Sequence, residues 1–128
     1  MKTFDEYQRA AARTMNTTDD ELRNPEKRLA IFGLGVAGET GEVVEMIKKH
    51  IGHGHELDLQ KLTKELGDVL WYLSAICTVC GLELESVAKE NIAKLHRRYP
   101  DGFSYEASQA RVDLASTGRT AQDESQAE

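Results

Sequence analysis

The chain has 128 residues, 40% of them hydrophobic and 6% aromatic, and its 22 acidic and 16 basic residues leave a formal charge of −6. That length predicts one modest domain, near the size at which partnering helps to bury a core. The acidic balance excludes a general nucleic-acid binder, which would show a basic face, but it says little about small anionic ligands held by local charges or bridging metals.

No N-terminal stretch has the basic, apolar and then small-residue order of a signal peptide. The most apolar run, Leu66 to Leu82, is interrupted by Asp68 and is too short to span a membrane. Two cysteines, Cys77 and Cys80, make no secreted disulfide framework. The expectation is a cytoplasmic protein that engages neither membrane nor stable nucleic-acid partners.

In chain order, the pattern predicts a short amphipathic helix from about Phe4 to Met15, with Phe4, Tyr7 and Ala11 on one side. Asn16 to Arg23 reads as a polar turn. Asn24-Pro25 starts a second helix, with an N-cap residue followed by proline at the first helical position. Its apolar period runs through Leu29, Phe32, Val36, Val43 and Ile47 to about Ile51, and Gly52-His53-Gly54-His55 reads as a loop. Asp58 caps a third helix that ends at Cys80, and Gly81 suits the left-handed position past its end. A fourth helix runs from about Glu83 to Arg98 and stops at Pro100-Asp101-Gly102. From Ala110 to Glu128 large apolar side chains almost vanish, which predicts a disordered tail after a domain spanning 1–109. The fold expected is all-α, an antiparallel helical hairpin within a bundle of about four helices.

The second helix contains Gly33-Leu34-Gly35-Val36-Ala37-Gly38-Glu39-Thr40-Gly41-Glu42, and each helical glycine costs about 1 kcal/mol relative to alanine. At about 100° per residue, Gly35, Gly38, Glu39 and Glu42 share one stripe, two carboxylates beside two positions without a side chain. The third helix repeats the pairing with Glu65 and Asp68, joined one turn later by Tyr72. A short loop makes the two helices antiparallel neighbours, so Glu39-x-x-Glu42 can oppose Glu65-x-x-Asp68. Close carboxylates repel by about 4 kcal/mol per pair at an intermediate dielectric. A hard divalent cation resolves that repulsion, with Mg²⁺ the usual choice where phosphates complete the shell. The competing reading, acids on solvated faces, suits one such pair better than two on consecutive helices.

Three blocks then occur in order: Gly-Leu-Gly-x-Ala-Gly-Glu-x-Gly-Glu, Lys-Glu-Leu-Gly-Asp-Val-Leu-Trp-Tyr-Leu, and Asn-Ile-Ala-Lys-Leu-x-x-Arg-Tyr-Pro-Asp-Gly-Phe. Over about Asn24 to Phe103 the chain resembles the MazG-like nucleotide pyrophosphohydrolases. The resemblance implies hydrolysis of a (deoxy)nucleoside triphosphate to monophosphate and pyrophosphate, as in house-cleaning of nucleotide pools. It implies Mg²⁺, with Mn²⁺ as a substitute, on Glu39, Glu42, Glu65 and Asp68, with Glu42 or Glu39 as the catalytic carboxylate. It also implies a homodimer or homotetramer in which two subunits complete each bundle.

On the fourth helix Asn91, Lys94 and Arg98 share a stripe, and its Lys and Arg suit β- and γ-phosphates. A solvated basic face is the plain alternative, and the match to the third block favours phosphate. Lys64, beside Glu65, is a weaker phosphate candidate. Trp71 and Tyr72 could stack on a base or ribose, although in so apolar a helix Trp71 reads as core. Cys77 and Cys80 read as buried thiols, and His50, His53 and His55 as an exposed turn rather than a metal site. A di-iron carboxylate bundle wants Glu-x-x-His pairs, which this chain lacks. The remaining alternative is a non-catalytic helical bundle that binds nucleotides or protein.

Overall fold

The computed structural model describes residues 1–16 and 23–111. Most of the turn expected at 16–23, and all but the start of the tail expected from 110, lie outside the described residues. Among the described residues five helices follow one another: α1 (Phe4–Ala12), α2 (Pro25–His53), α3 (Leu59–Cys80), α4 (Leu84–Arg98) and α5 (Tyr105–Ala110). No strand occurs among the described residues, and the fold is all-α. The chain forms two compact units, Met1–Glu85 and Ser86–Glu128.

Local chemistry sets the helix ends. The Asn24 carboxamide oxygen accepts from the Glu26 and Lys27 amides at 2.8 and 3.3 Å, and the Asp58 carboxylate accepts from those of Gln60 and Lys61 at 2.9 and 3.0 Å. These caps satisfy amides that the helix cannot reach itself. At the other end of α3, Gly81 takes φ 68° and the Leu82 amide donates to the Cys77 carbonyl at 2.8 Å. The end of α2 differs from expectation, since the helix continues through Gly52 to His53 and only Gly54, at φ 69°, turns left-handed. Gly52 fits the last turn because its helical conformation is ordinary. α1 closes earlier than its pattern suggests, at Ala12. Bonds from the Arg13, Thr14 and Met15 amides back three residues tighten the turn there, and Met15 is buried against Phe32 and Ala75.

In the first unit α2 and α3 pack along each other and α1 packs on α3. Phe32 meets Trp71 edge-on with ring centroids 5.8 Å apart, and the Trp71 indole N–H donates to the Thr14 hydroxyl at 2.8 Å. Trp71 therefore packs as core, with its polar atom satisfied. Gln8 fixes the far end of α1: its amide donates to Thr78 and to the Leu82 carbonyl, and its oxygen accepts from the Leu84 amide at 2.7 Å. The other flank of the hairpin has no such cover. Leu29, Val44, Ile47 and Ile51 of α2 and Leu59, Leu66 and Leu73 of α3 are exposed. At about 100° per residue they lie on one side of the antiparallel pair, away from the α3 side that meets α1. Cys80 falls on this flank and is exposed, while Cys77 is buried. That corrects the expectation of two buried thiols. Burial, and then the neighbouring Cys80, push the Cys77 thiol up.

The second unit holds the rest of α4, the Pro100-Asp101-Gly102 stop and α5. Gly102, at φ 91°, ends the turn with its amide on the Tyr99 carbonyl at 3.1 Å. α5 was not anticipated from the pattern. Its start is a local signal all the same, because the Ser104 hydroxyl caps it by accepting from the Ala107 amide at 3.0 Å.

Candidate metal centre

The α2–α3 pairing sets Glu39 of α2 opposite Glu65 and Asp68 of α3. One carboxylate oxygen from each of the three lies within 4.8 Å of the others, and Glu39 and Glu65 are half-buried while Asp68 is exposed. Glu42, one turn further along α2, is exposed and is not among the three that converge. Among the described residues no ion pair neutralises these carboxylates, whereas Glu45 is paired with Lys48 and Lys49. Those two partners hold the Glu45 carboxyl below its ordinary range.

The donor set fits a hard divalent ion. All three ligands are carboxylate oxygens, the class that Mg²⁺ and Mn²⁺ prefer over softer nitrogen or sulfur sites. Two oxygens opposite each other across an octahedral Mg²⁺ stand about 4.2 Å apart at its usual bond length. The spacing therefore needs only small side-chain adjustments. The loop histidines do not form such a group among the described residues. His50 Nδ1 sits 2.8 Å from the His55 carbonyl, and the His53 and His55 rings meet edge-on.

The two glycines of the acidic stripe have different surroundings. A Cβ on Gly35 would run into the Tyr72 ring, whereas one on Gly38 would meet nothing within 4 Å. The room cleared by Gly35 is thus taken by Tyr72, which corrects the expectation that both glycines open space for a ligand. The ring is held further by Phe32, with centroids 6.3 Å apart, and by Trp71 at 5.0 Å. Beside Gly38, next to Glu39, the helix surface stays open.

One residue near the acids escaped the sequence reading. Tyr7 of α1 is half-buried, and its phenol is pushed up first by burial and second by the negative charge of Asp68. α1 therefore brings a neutral hydroxyl into the field of the carboxylates. Sixty-one positions separate the two residues, and no local pattern could pair them. Of the expected phosphate ligands, Lys64 is exposed on α3. Asn91 and Lys94 are exposed on α4 in the second unit, and the half-buried Arg98 holds its guanidinium 5.8 Å from the Tyr99 ring centroid.

Residues 31–103 match the MazG nucleotide pyrophosphohydrolase domain, more than half of the chain. The chain belongs to that family. The Gene 37 protein of Mycobacterium phage L5 is similar, 31% identical over 78 residues that cover 58% of this chain and 68% of that protein. No solved structure matches the chain. MazG membership points to nucleotide pyrophosphohydrolase activity in general terms, in a family typically dependent on a divalent metal. All three converging carboxylates lie within the matched residues, while α1 and its Tyr7 lie before them. No single helix among the described residues is long and apolar enough to cross a membrane.

Proposed function

We propose that this protein is a Mg²⁺-dependent pyrophosphohydrolase of nucleoside or deoxynucleoside triphosphates. The observation that carries the reading is the convergence of Glu39, Glu65 and Asp68 within 4.8 Å, without a cationic partner among the described residues. Those three side chains would hold the ion. When bound, it would neutralise triphosphate charge and acidify a coordinated water.

The chain's own groups then have defined tasks. The attacking water's oxygen bonds to the α-phosphorus as the bridge to the β-phosphorus breaks, so pyrophosphate leaves and the monophosphate remains. The water's proton passes to a carboxylate. Glu42 is free for that task because it stands outside the converging three, with Glu39 the alternative acceptor. Lys94 and Arg98, aided by Asn91 and Lys64, are proposed to hold phosphate oxygens by charge-assisted hydrogen bonds. Tyr72 is proposed to border the substrate beside Gly38. Phosphoryl transfer depends chiefly on such positioning and on charge neutralisation.

The bare apolar flank supports assembly. An exposed row of leucine, isoleucine and valine along two helices marks an interaction surface in most proteins. A second copy would cover it with a like face, closing a bundle across a two-fold axis. We propose a homodimer, or a homotetramer built from it.

A panel of nucleoside and deoxynucleoside triphosphates with Mg²⁺ tests the chemistry. Monophosphate and pyrophosphate as products are expected. Diphosphate and orthophosphate would overturn the assignment, and nucleotide binding without turnover would leave a non-catalytic binding bundle. Sedimentation should give an even-numbered assembly, and Leu66→Lys should split it.

A further inference from the structure

The second unit carries a row of aromatic rings that burial does not explain. Tyr99 and Phe103 lie with centroids 5.6 Å apart, and Phe103 and Tyr105 follow at 5.5 Å. Phe103 is 68% exposed and Tyr105 75% exposed, so the row is not a small core. The rings leave large apolar faces in water while holding one another in fixed edge-on and tilted contacts. Solvated aromatics in contiguous array mark a binding surface far more often than a packing accident.

Cationic groups surround the row. The Arg98 guanidinium is 5.8 Å from the Tyr99 centroid, the contact range of a cation on an aromatic face. The Ser108 hydrogen bond, and after the opposing effect of burial the Arg98 and Arg111 guanidinium groups, hold the Tyr99 phenol below its ordinary range. Arg111 is held at φ 47°, the one positive-φ residue other than glycine among the described residues. That backbone region disfavours side chains by about 1–2 kcal/mol. Residues 94–111 carry four basic side chains against two acidic ones, opposite in sign to a chain whose total is −6. Aromatic faces beside guanidinium groups are what a nucleotide requires, since every base has a π-face and every phosphate a negative charge.

We propose that Tyr99, Phe103 and Tyr105, flanked by Arg98 and Arg111, form the surface on which the nucleobase of the substrate stacks, making Phe103 and Tyr105 specificity-determining residues. The inference rests on the nucleotide pyrophosphohydrolase reading and deepens it. On α4 the stripe Asn91, Lys94 and Arg98 leads towards the aromatic row, so phosphates along the stripe would place the base at its end. Neither Tyr105 nor Arg111 falls within the residues matched by the family.

The test uses the full chain, with Phe103→Ala and Tyr105→Ala combined, and Phe103→Tyr and Tyr105→Phe as conservative controls. For nucleoside triphosphates the alanine pair should raise KM roughly tenfold or more, the scale of losing a stacking partner. Its kcat should stay within about threefold, and the conservative variants should retain the wild-type KM. Inorganic tripolyphosphate, which has no base, should be hydrolysed equally by wild type and variant. An unchanged KM, or an equal loss on tripolyphosphate, overturns the assignment. So does a change of sedimentation coefficient in the alanine pair, which would make the row a contact between copies.

A second measurement separates this inference from the reading beneath it. Deoxynucleoside monophosphates, with ribose 5-phosphate as the base-free control, are titrated into the wild type while amide resonances are followed. Shifts at Phe103, Tyr105 and Arg111 with the nucleotides alone support the surface even if no triphosphate is hydrolysed. Hydrolysis without such shifts would sustain the enzyme reading and sink the inference.

Discussion

The α2–α3 hairpin is built in two different ways along its length. At one level Phe32, Trp71, Tyr72 and Ala75 pack with Met15, and the Trp71 indole N–H donates to the Thr14 hydroxyl. At the next level Glu39, Glu65 and Asp68 converge, and among the described residues none has a cationic partner. Between the two sits the contact of Gly35 with the Tyr72 ring. The same two helices thus hold the chain together at one level and carry mutual repulsion at the other. Stability and chemistry are segregated by about two turns, and substitutions at the two levels should move different observables.

The largest effect is expected at the acidic level. Asp68→Asn should lower turnover on the order of a thousandfold, about 4 kcal/mol of transition-state stabilisation. Its melting temperature in metal-free buffer should equal or exceed that of the wild type, because one repelling charge is gone. Mg²⁺ at a hundred times its dissociation constant should stabilise the wild type by about 2.7 kcal/mol and the variant far less. Calorimetry with and without Mg²⁺ decides the matter. A variant that melts lower in metal-free buffer would mean that the acids are structural and that the two levels are not distinct.

At the packed level the sign reverses. Phe32→Ala should cost about 3–5 kcal/mol, the range for emptying a large aromatic site, read from urea unfolding. Turnover per folded molecule should fall much less than in Asp68→Asn. Equal losses of activity in the two variants would erase the distinction.

The boundary gives a finer comparison within one helix. Gly35→Ala drives a methyl into the Tyr72 ring and should destabilise by about 1–3 kcal/mol, the usual cost of overpacking. Gly38→Ala meets open space and should stabilise by up to about 1 kcal/mol through helix propensity alone. Both glycines lie mid-helix without positive φ, so backbone strain does not confuse the pair. Denaturant midpoints of the same sign for both would contradict the assigned surroundings.

What the sequence disclosed follows from the range of each interaction. Asn24-Pro25, Asp58 and Gly81 are local signals, and each sits where its chemistry predicts. The pairing of Glu39 with Glu65 and Asp68 was also readable, because a short loop and a helical period together fix which faces meet. Tyr72 filling the space at Gly35 was not, since spacing says that room exists but not which side chain enters it. Glu42 shares the acidic stripe in projection yet stands a turn away from the convergence, a difference in height that a face count ignores.

Tyr7 is the clearest case of a long-range relation, and it supports the smallest prediction. Its phenol is pushed up by burial first and by the Asp68 charge second. A tyrosine pKa raised in the folded state leaves its contribution complete below the ordinary value of about 10. That contribution is lost as pH rises through the folded value, since only the unfolded phenol ionises readily. Tyr7→Phe should therefore match the wild type at neutral pH within about 0.5 kcal/mol and show a shallower loss of stability on the alkaline side. Asp68→Asn removes the second cause and leaves the first, so it should reproduce part of that change and no more. Stability curves from pH 8 to 11 for the three proteins measure the separation. If Asp68→Asn leaves the alkaline slope as it is in the wild type, Tyr7 lies outside the field of the carboxylates. α1 would then belong to the packed level alone.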